Sequence, residues 1–73
     1  MPSVTGDKLV KALVKLGFRQ IRQRGSHVTL VHDKTGRVVV VPVHRGRDLT
    51  PGTLGAILSA VGLSIDELRK LLR

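Results

Sequence analysis

Leu9, Leu13 and Leu16, with Val10 beside them, recur at four- and three-residue intervals, the apolar stripe of an amphipathic helix. Thr5 stands where a side-chain cap belongs, Asp7 falls where the helix dipole favours an anion, and Gly17 follows as a left-handed cap at the far end. Beyond Gly17 the period changes to two. The segment Phe18 to Arg24 reads as a strand, yet its apolar members Phe18 and Ile21 differ in parity, so the reading requires a bulge or a strand that starts after Phe18. The next segment, His27 to His32, alternates cleanly. Val28 and Leu30 share one face, which places His27, Thr29 and Val31 on the other.

Turn chemistry separates these segments. Gly25-Ser26 makes a tight turn between the first two strands, and Asp33-Lys34-Thr35-Gly36 makes a hairpin loop with Gly36 at positive φ. The third strand is expected over Arg37 to Val43. It holds four consecutive valines, Val38 to Val41, so it is either central or covered on its outer face by a partner. Pro42 cannot donate to a ladder and marks the strand's end or an unpaired position. A basic loop, His44 to Asp48, leads to Thr50-Pro51, a cap and first-turn proline for a second helix. Leu54, Ile57, Leu58 and Val61 form its buried face, and Gly62 stops it. Ser64 and Glu67 have the spacing of a capping box for a short last helix that buries Leu68, Leu71 and Leu72. The expected architecture is α+β in a single domain over residues 1–73: a helix, a three-stranded antiparallel sheet, a helix and a short C-terminal helix.

Composition adds constraints. With no cysteine and Phe18 as the one aromatic residue, the core must be aliphatic and stands without disulfides. No apolar run approaches the roughly 20 residues of a membrane span, and no secretory leader is recognisable, so a cytoplasmic protein without a membrane partner is expected. The balance of 13 Lys and Arg against 5 Asp and Glu gives a net charge of +8, which calls for a polyanion or an acidic protein partner. Nucleic acid is the first expectation. Lys8, Lys11 and Lys15 fall on one exposed face of the first helix, where they form either a solvated face or a phosphate-tracking stripe.

The stretch Arg22-Gln23-Arg24-Gly25-Ser26-His27 gathers the groups that RNA chemistry uses. RNA carries its own nucleophile, the 2′-hydroxyl, so a catalyst must deprotonate it and assist the leaving 5′-oxygen. His27, facing out of the sheet, can move that proton. Arg22 and Arg24 can offset charge on the phosphorane, and Ser26 or the backbone N–H groups around Gly25 can hold a phosphate oxygen. Arg45 and Arg47 add cations for RNA. His44 is a second candidate acid or base, or else orders its loop, whereas His32 shares the parity of the core face and reads as structural. The carboxylates Asp7, Asp33, Asp48, Asp66 and Glu67 form no paired cluster in the sequence, and the histidines lack ligand spacing, so neither metal nor cofactor is expected.

Four blocks then carry a resemblance: L-x-x-x-G-F over Leu13 to Phe18, R-Q-x-G-S-H over Arg22 to His27, V-P-V-H over Val41 to His44, and L-x-P-G-T-L-x-x-I-L over Leu49 to Leu58. Together they resemble the HicA family of toxins, in order and at the family's spacing. The resemblance implies a fold similar to a double-stranded-RNA-binding domain, with helices on one face of the sheet. It also implies an endoribonuclease that cleaves mRNA, a HicB-like antitoxin that occludes it, and His27 as the catalytic histidine. Many members have a second histidine next in sequence; here that position is Val28, so no role for it carries over. The rival readings are a non-catalytic RNA-binding module of the double-stranded type and a domain that binds only an acidic protein.

Overall fold

Side-chain caps set the start of every helix in the computed structural model, which describes residues 3–73. Thr5 Oγ1 accepts the Lys8 backbone N–H at 3.3 Å and opens α1 (Gly6–Lys15). Thr50 Oγ1 accepts from the Thr53 N–H at 3.3 Å and opens α2 (Pro51–Val61). At α3 (Ile65–Leu71) the capping box is complete, with Ser64 Oγ accepting from the Glu67 N–H at 3.1 Å and Glu67 Oε1 accepting from the Ser64 N–H at 3.0 Å. That second bond, made by the Ser64 backbone, is the main reason the Glu67 carboxyl is held below its ordinary value. The opposite ends use glycine. Gly62 caps α2 at φ +72°, while α1 ends on Leu16 in a helical conformation, one position before the Gly17 cap the sequence suggests, and Gly17 follows at φ +103°.

Between α1 and α2 lie β1 (Phe18–Arg24), β2 (His27–His32) and β3 (Val38–Pro42), paired antiparallel in the order β1-β2-β3. Of the two ways to reconcile the parity of Phe18 and Ile21, the structure has the bulge, in a strand that begins at Phe18. Gln20 pairs with Leu30 and Arg22 with Thr29, which leaves Ile21 as the extra residue, half-exposed. The valine-rich strand is not central. β2 is the centre and β3 an edge, so a central position does not account for its double-sided apolar pattern. Val39 and Val41 are buried, whereas Val38 and Val40 stand 56% and 47% exposed.

The core forms where α1, α2 and α3 close over the other face of the sheet. Leu9 and Leu13 of α1, Leu54, Ile57 and Leu58 of α2 and Leu68 of α3 pack with Val28, Leu30, Val39 and Val41. Leu16, expected in the buried stripe, is 37% exposed at the end of α1, and Ala12 is buried instead. Val4, just before the helix, is also buried; its carbonyl accepts from the Leu49 N–H at 2.8 Å and ties the N-terminal segment to the loop before α2. At Gly6 the first turn of α1 comes so close to the Pro42 carbonyl and the Val43 backbone that a Cβ there would collide with both. Thus α1 is clamped against the end of β3, the same end of the sheet at which β2 begins.

Candidate active site

His27 is the first residue of β2, immediately after the two-residue turn Gly25-Ser26. Gly25 has φ +58° and Ser26 has no positive φ, the pattern of a type II′ turn, which matches the twist of the flanking strands. The turn is pinned from both sides: the Gly25 carbonyl accepts from Gln23 Nε2 at 3.2 Å, and the half-buried Ser26 accepts the Val43 N–H through its carbonyl at 2.6 Å. His27 therefore sits on a fixed corner, with Arg24 opposite it on β1 and Pro42 opposite it on β3.

Cross-strand partners project to one side of a sheet. Val28 and Leu30 face the core, so the other side carries Arg22 and Arg24 from β1, His27, Thr29 and Val31 from β2, and Val38, Val40 and Pro42 from β3. Among the described residues no helix covers this side. It grades from cationic at β1, through His27, to aliphatic at β3. Arg19, also on β1, is already engaged, with Nε 3.1 Å from Asp33 Oδ1. Among the described residues neither Arg22 nor Arg24 has an acidic partner, so both remain available to an anion beside His27.

The other candidates divide into two places. His44, Arg45 and Arg47 follow β3 in a tight loop, in which the Arg47 N–H donates to the His44 carbonyl at 2.9 Å and Gly46 takes φ +74°. His44 and Arg47 line a cavity of about 300 Å³ whose wall includes Pro42, the cross-strand partner of His27; Arg45 lies outside that lining. The lysine row lies elsewhere. Lys8, Lys11 and Lys15 belong to α1, on the covered side of the sheet, and Lys15 Nζ donates to the last carbonyls of the chain, Leu71 O at 2.8 Å and Arg73 O at 3.5 Å. The structure thus brings Arg22, Arg24, Gly25, Ser26 and His27 together, places His44 and Arg47 at the same end of the sheet, and sets the three lysines apart. Among the described residues no three His, Asp or Glu side chains gather as metal ligands, and no helix is long and apolar enough to cross a membrane.

His32 has a different task. Its Nδ1 accepts from the backbone N–H groups of Lys34 and Thr35 at 3.1 and 3.2 Å, so Nε2 carries the hydrogen and donates to the Leu16 carbonyl at 2.9 Å. Its ring meets Phe18 edge-on at 4.9 Å. One imidazole thereby ties the end of α1 to the β2–β3 hairpin. Replacing it leaves two N–H groups and a carbonyl without this partner, so His32→Ala should lower stability by about 2–3 kcal/mol, at roughly 1 kcal/mol per net hydrogen bond. Urea denaturation checks this, and an unchanged midpoint would remove the assignment.

Pro42, Asp48, Leu49, Thr50 and Thr53 complete the cavity wall, and the sequence does not mark them as one site, because only the strand register and the return of the chain into α2 bring them together. The family model for the HicA toxin of bacterial toxin–antitoxin systems matches residues 6–63. That span contains the whole open face, the turn and the cavity. No curated protein matches the chain at a significant level.

Proposed function

The chain belongs to the HicA family, toxins of bacterial toxin–antitoxin systems, and from that premise we propose that it is a metal-independent endoribonuclease acting on mRNA in the cytoplasm. The observation that carries the reading is the placement of His27, exposed on a rigid corner of the uncovered sheet face with Arg24 opposite and Arg22 nearby. A single strand of RNA laid along this face presents a phosphate to the arginines and the adjoining 2′-hydroxyl to the imidazole.

In the proposed reaction the 2′-oxygen attacks phosphorus, the bond from phosphorus to the 5′-oxygen breaks, and the products end in a 2′,3′-cyclic phosphate and a 5′-hydroxyl. His27 takes the 2′-hydroxyl proton or delivers one to the leaving oxygen. Arg22 and Arg24 offset the charge that builds on the phosphorane, while Ser26 and the Gly25 backbone hold a non-bridging oxygen. His44, at the same end of the sheet, is the candidate for the second acid or base. Arg45 and Arg47 extend the cationic track past β3, and Lys8, Lys11 and Lys15 offer a separate basic surface on α1 for more distant phosphates. A HicB-like antitoxin silences the enzyme by covering the open face.

A cleavage assay tests this reading against a non-catalytic RNA-binding module. The purified chain, given a defined single-stranded mRNA in EDTA, should produce fragments with 5′-hydroxyl ends. RNA that is retained but left intact would favour the binding module, and cleavage that EDTA abolishes would overturn the metal-independent mechanism.

A further inference from the structure

The cavity beside β3 has features that phosphate binding alone does not explain. At about 300 Å³ it lies at the lower end of the range of ligand pockets, roughly 300–1,000 Å³, with room for one ring-sized group. Pro42 and Leu49 give it apolar walls against which a flat ring can stack, while His44 and Arg47 stand where a strand's phosphates would pass. Its wall also contains a carboxylate, Asp48. A carboxylate on a surface that meets a polyanion is repelled unless it accepts hydrogen bonds from that ligand. Among the described residues Asp48 makes no ion pair and its carboxylate accepts no hydrogen bond, although its backbone is fixed by pairing with Thr5.

Thr53 supplies the matching donor. The Thr50 and Thr53 hydroxyls lie 3.0 Å apart, and with Thr50 as the donor in that pair the Thr53 hydroxyl turns its own hydrogen toward the cavity. The cavity therefore presents one free acceptor and one free donor between apolar walls, one cross-strand step from His27.

We propose that this cavity is a base pocket, seating the nucleobase next to the scissile phosphate and selecting bases with an exocyclic amine over uracil. The proposal rests on the ribonuclease reading above. Adenine and cytosine place an amine beside a ring-nitrogen acceptor, which suits Asp48 and Thr53 together. Guanine offers adjacent N–H donors to the carboxylate. Uracil offers a single N–H between two carbonyl oxygens, which the carboxylate repels.

The test uses His27→Ala protein and the 2′-O-methyl dinucleotides ApA, CpC and UpU, which lack the attacking hydroxyl, followed by amide chemical shifts. ApA and CpC should shift the amides of Asp48, Leu49 and Thr53 and bind about tenfold more tightly than UpU, within the ~1–3 kcal/mol expected of a well-formed base contact. Asp48→Asn should shrink that ratio to about twofold, because an amide can also donate to uracil. Shifts confined to the β1–β2 hairpin, equal binding of all three dinucleotides, or no shift at all would overturn the pocket. Cleavage of mRNA by the unaltered chain, measured in parallel, shows whether the ribonuclease reading stands when the pocket fails.

Discussion

A His27→Ala variant will bind RNA and fail to cleave it. The imidazole is the proposed proton carrier on the open face, and a positioned general acid or base contributes typically ~10²–10⁴-fold. The loss in cleavage rate should therefore be at least about a hundredfold, enough to abolish growth arrest on expression. The fold should not suffer. His27 is exposed, makes no side-chain hydrogen bond among the described residues and belongs to no part of their core, so its removal should change stability by no more than about 0.5 kcal/mol. RNA affinity should stay within a few-fold, because Arg22 and Arg24 are untouched. This separation distinguishes a catalyst from a surface histidine that merely contacts RNA. Cleavage at the normal rate by a folded His27→Ala protein would refute the assignment.

The sequence made some of this readable because certain signals are local. Alternation in Val28-Thr29-Leu30-Val31 was enough to place His27 on the face away from the core, and the caps at Thr5, Thr50 and Ser64 act within one helical turn. Signals that depend on the return of the chain were less informative. The four valines of β3 show that both faces are apolar, but a run of that kind does not distinguish a central strand from an edge strand with a partner-facing side. Leu16 fits the helical period and still emerges at the end of α1, because the chain turns at Gly17 before the stripe completes another turn over the core. Ala12, Val4 and Gly6 matter through close approach to neighbours far along the chain, to which helical periodicity is blind. His32 could be assigned to structure by parity, but its bond to Leu16 appears only once α1 and the hairpin are packed together.

The same edge-strand geometry leads to the second large effect, on the antitoxin. A Val40→Asp variant should lose the proposed HicB-like partner, with a dissociation constant raised by about 10²–10³-fold. Val40 pairs with Thr29 in the middle of the open face, and Val38 and Val31 adjoin it. A protein that covers His27 must also cover this aliphatic strip. An interface with an apolar centre and a charged rim suits that surface, the rim being Arg22 and Arg24 meeting carboxylates of the partner. The net charge of +8 would hasten association with an acidic partner by electrostatic steering. A second copy of the chain is a poor occupant, because it would bring the same unpaired arginines against the face. An aspartate at the centre of the buried strip would be left without a cation, and an uncompensated buried charge costs about 3–5 kcal/mol. At about 1.4 kcal/mol per tenfold that corresponds to the stated weakening. The free protein should tolerate the change, since Val40 is half-exposed and outside the core. Titration calorimetry of the variant with a HicB-like antitoxin reads the effect directly, and hydrogen exchange on the wild-type complex locates the footprint. Undiminished binding by Val40→Asp, with protection confined to α1, α2 and α3, would show that the antitoxin acts from the helical side and leaves His27 open.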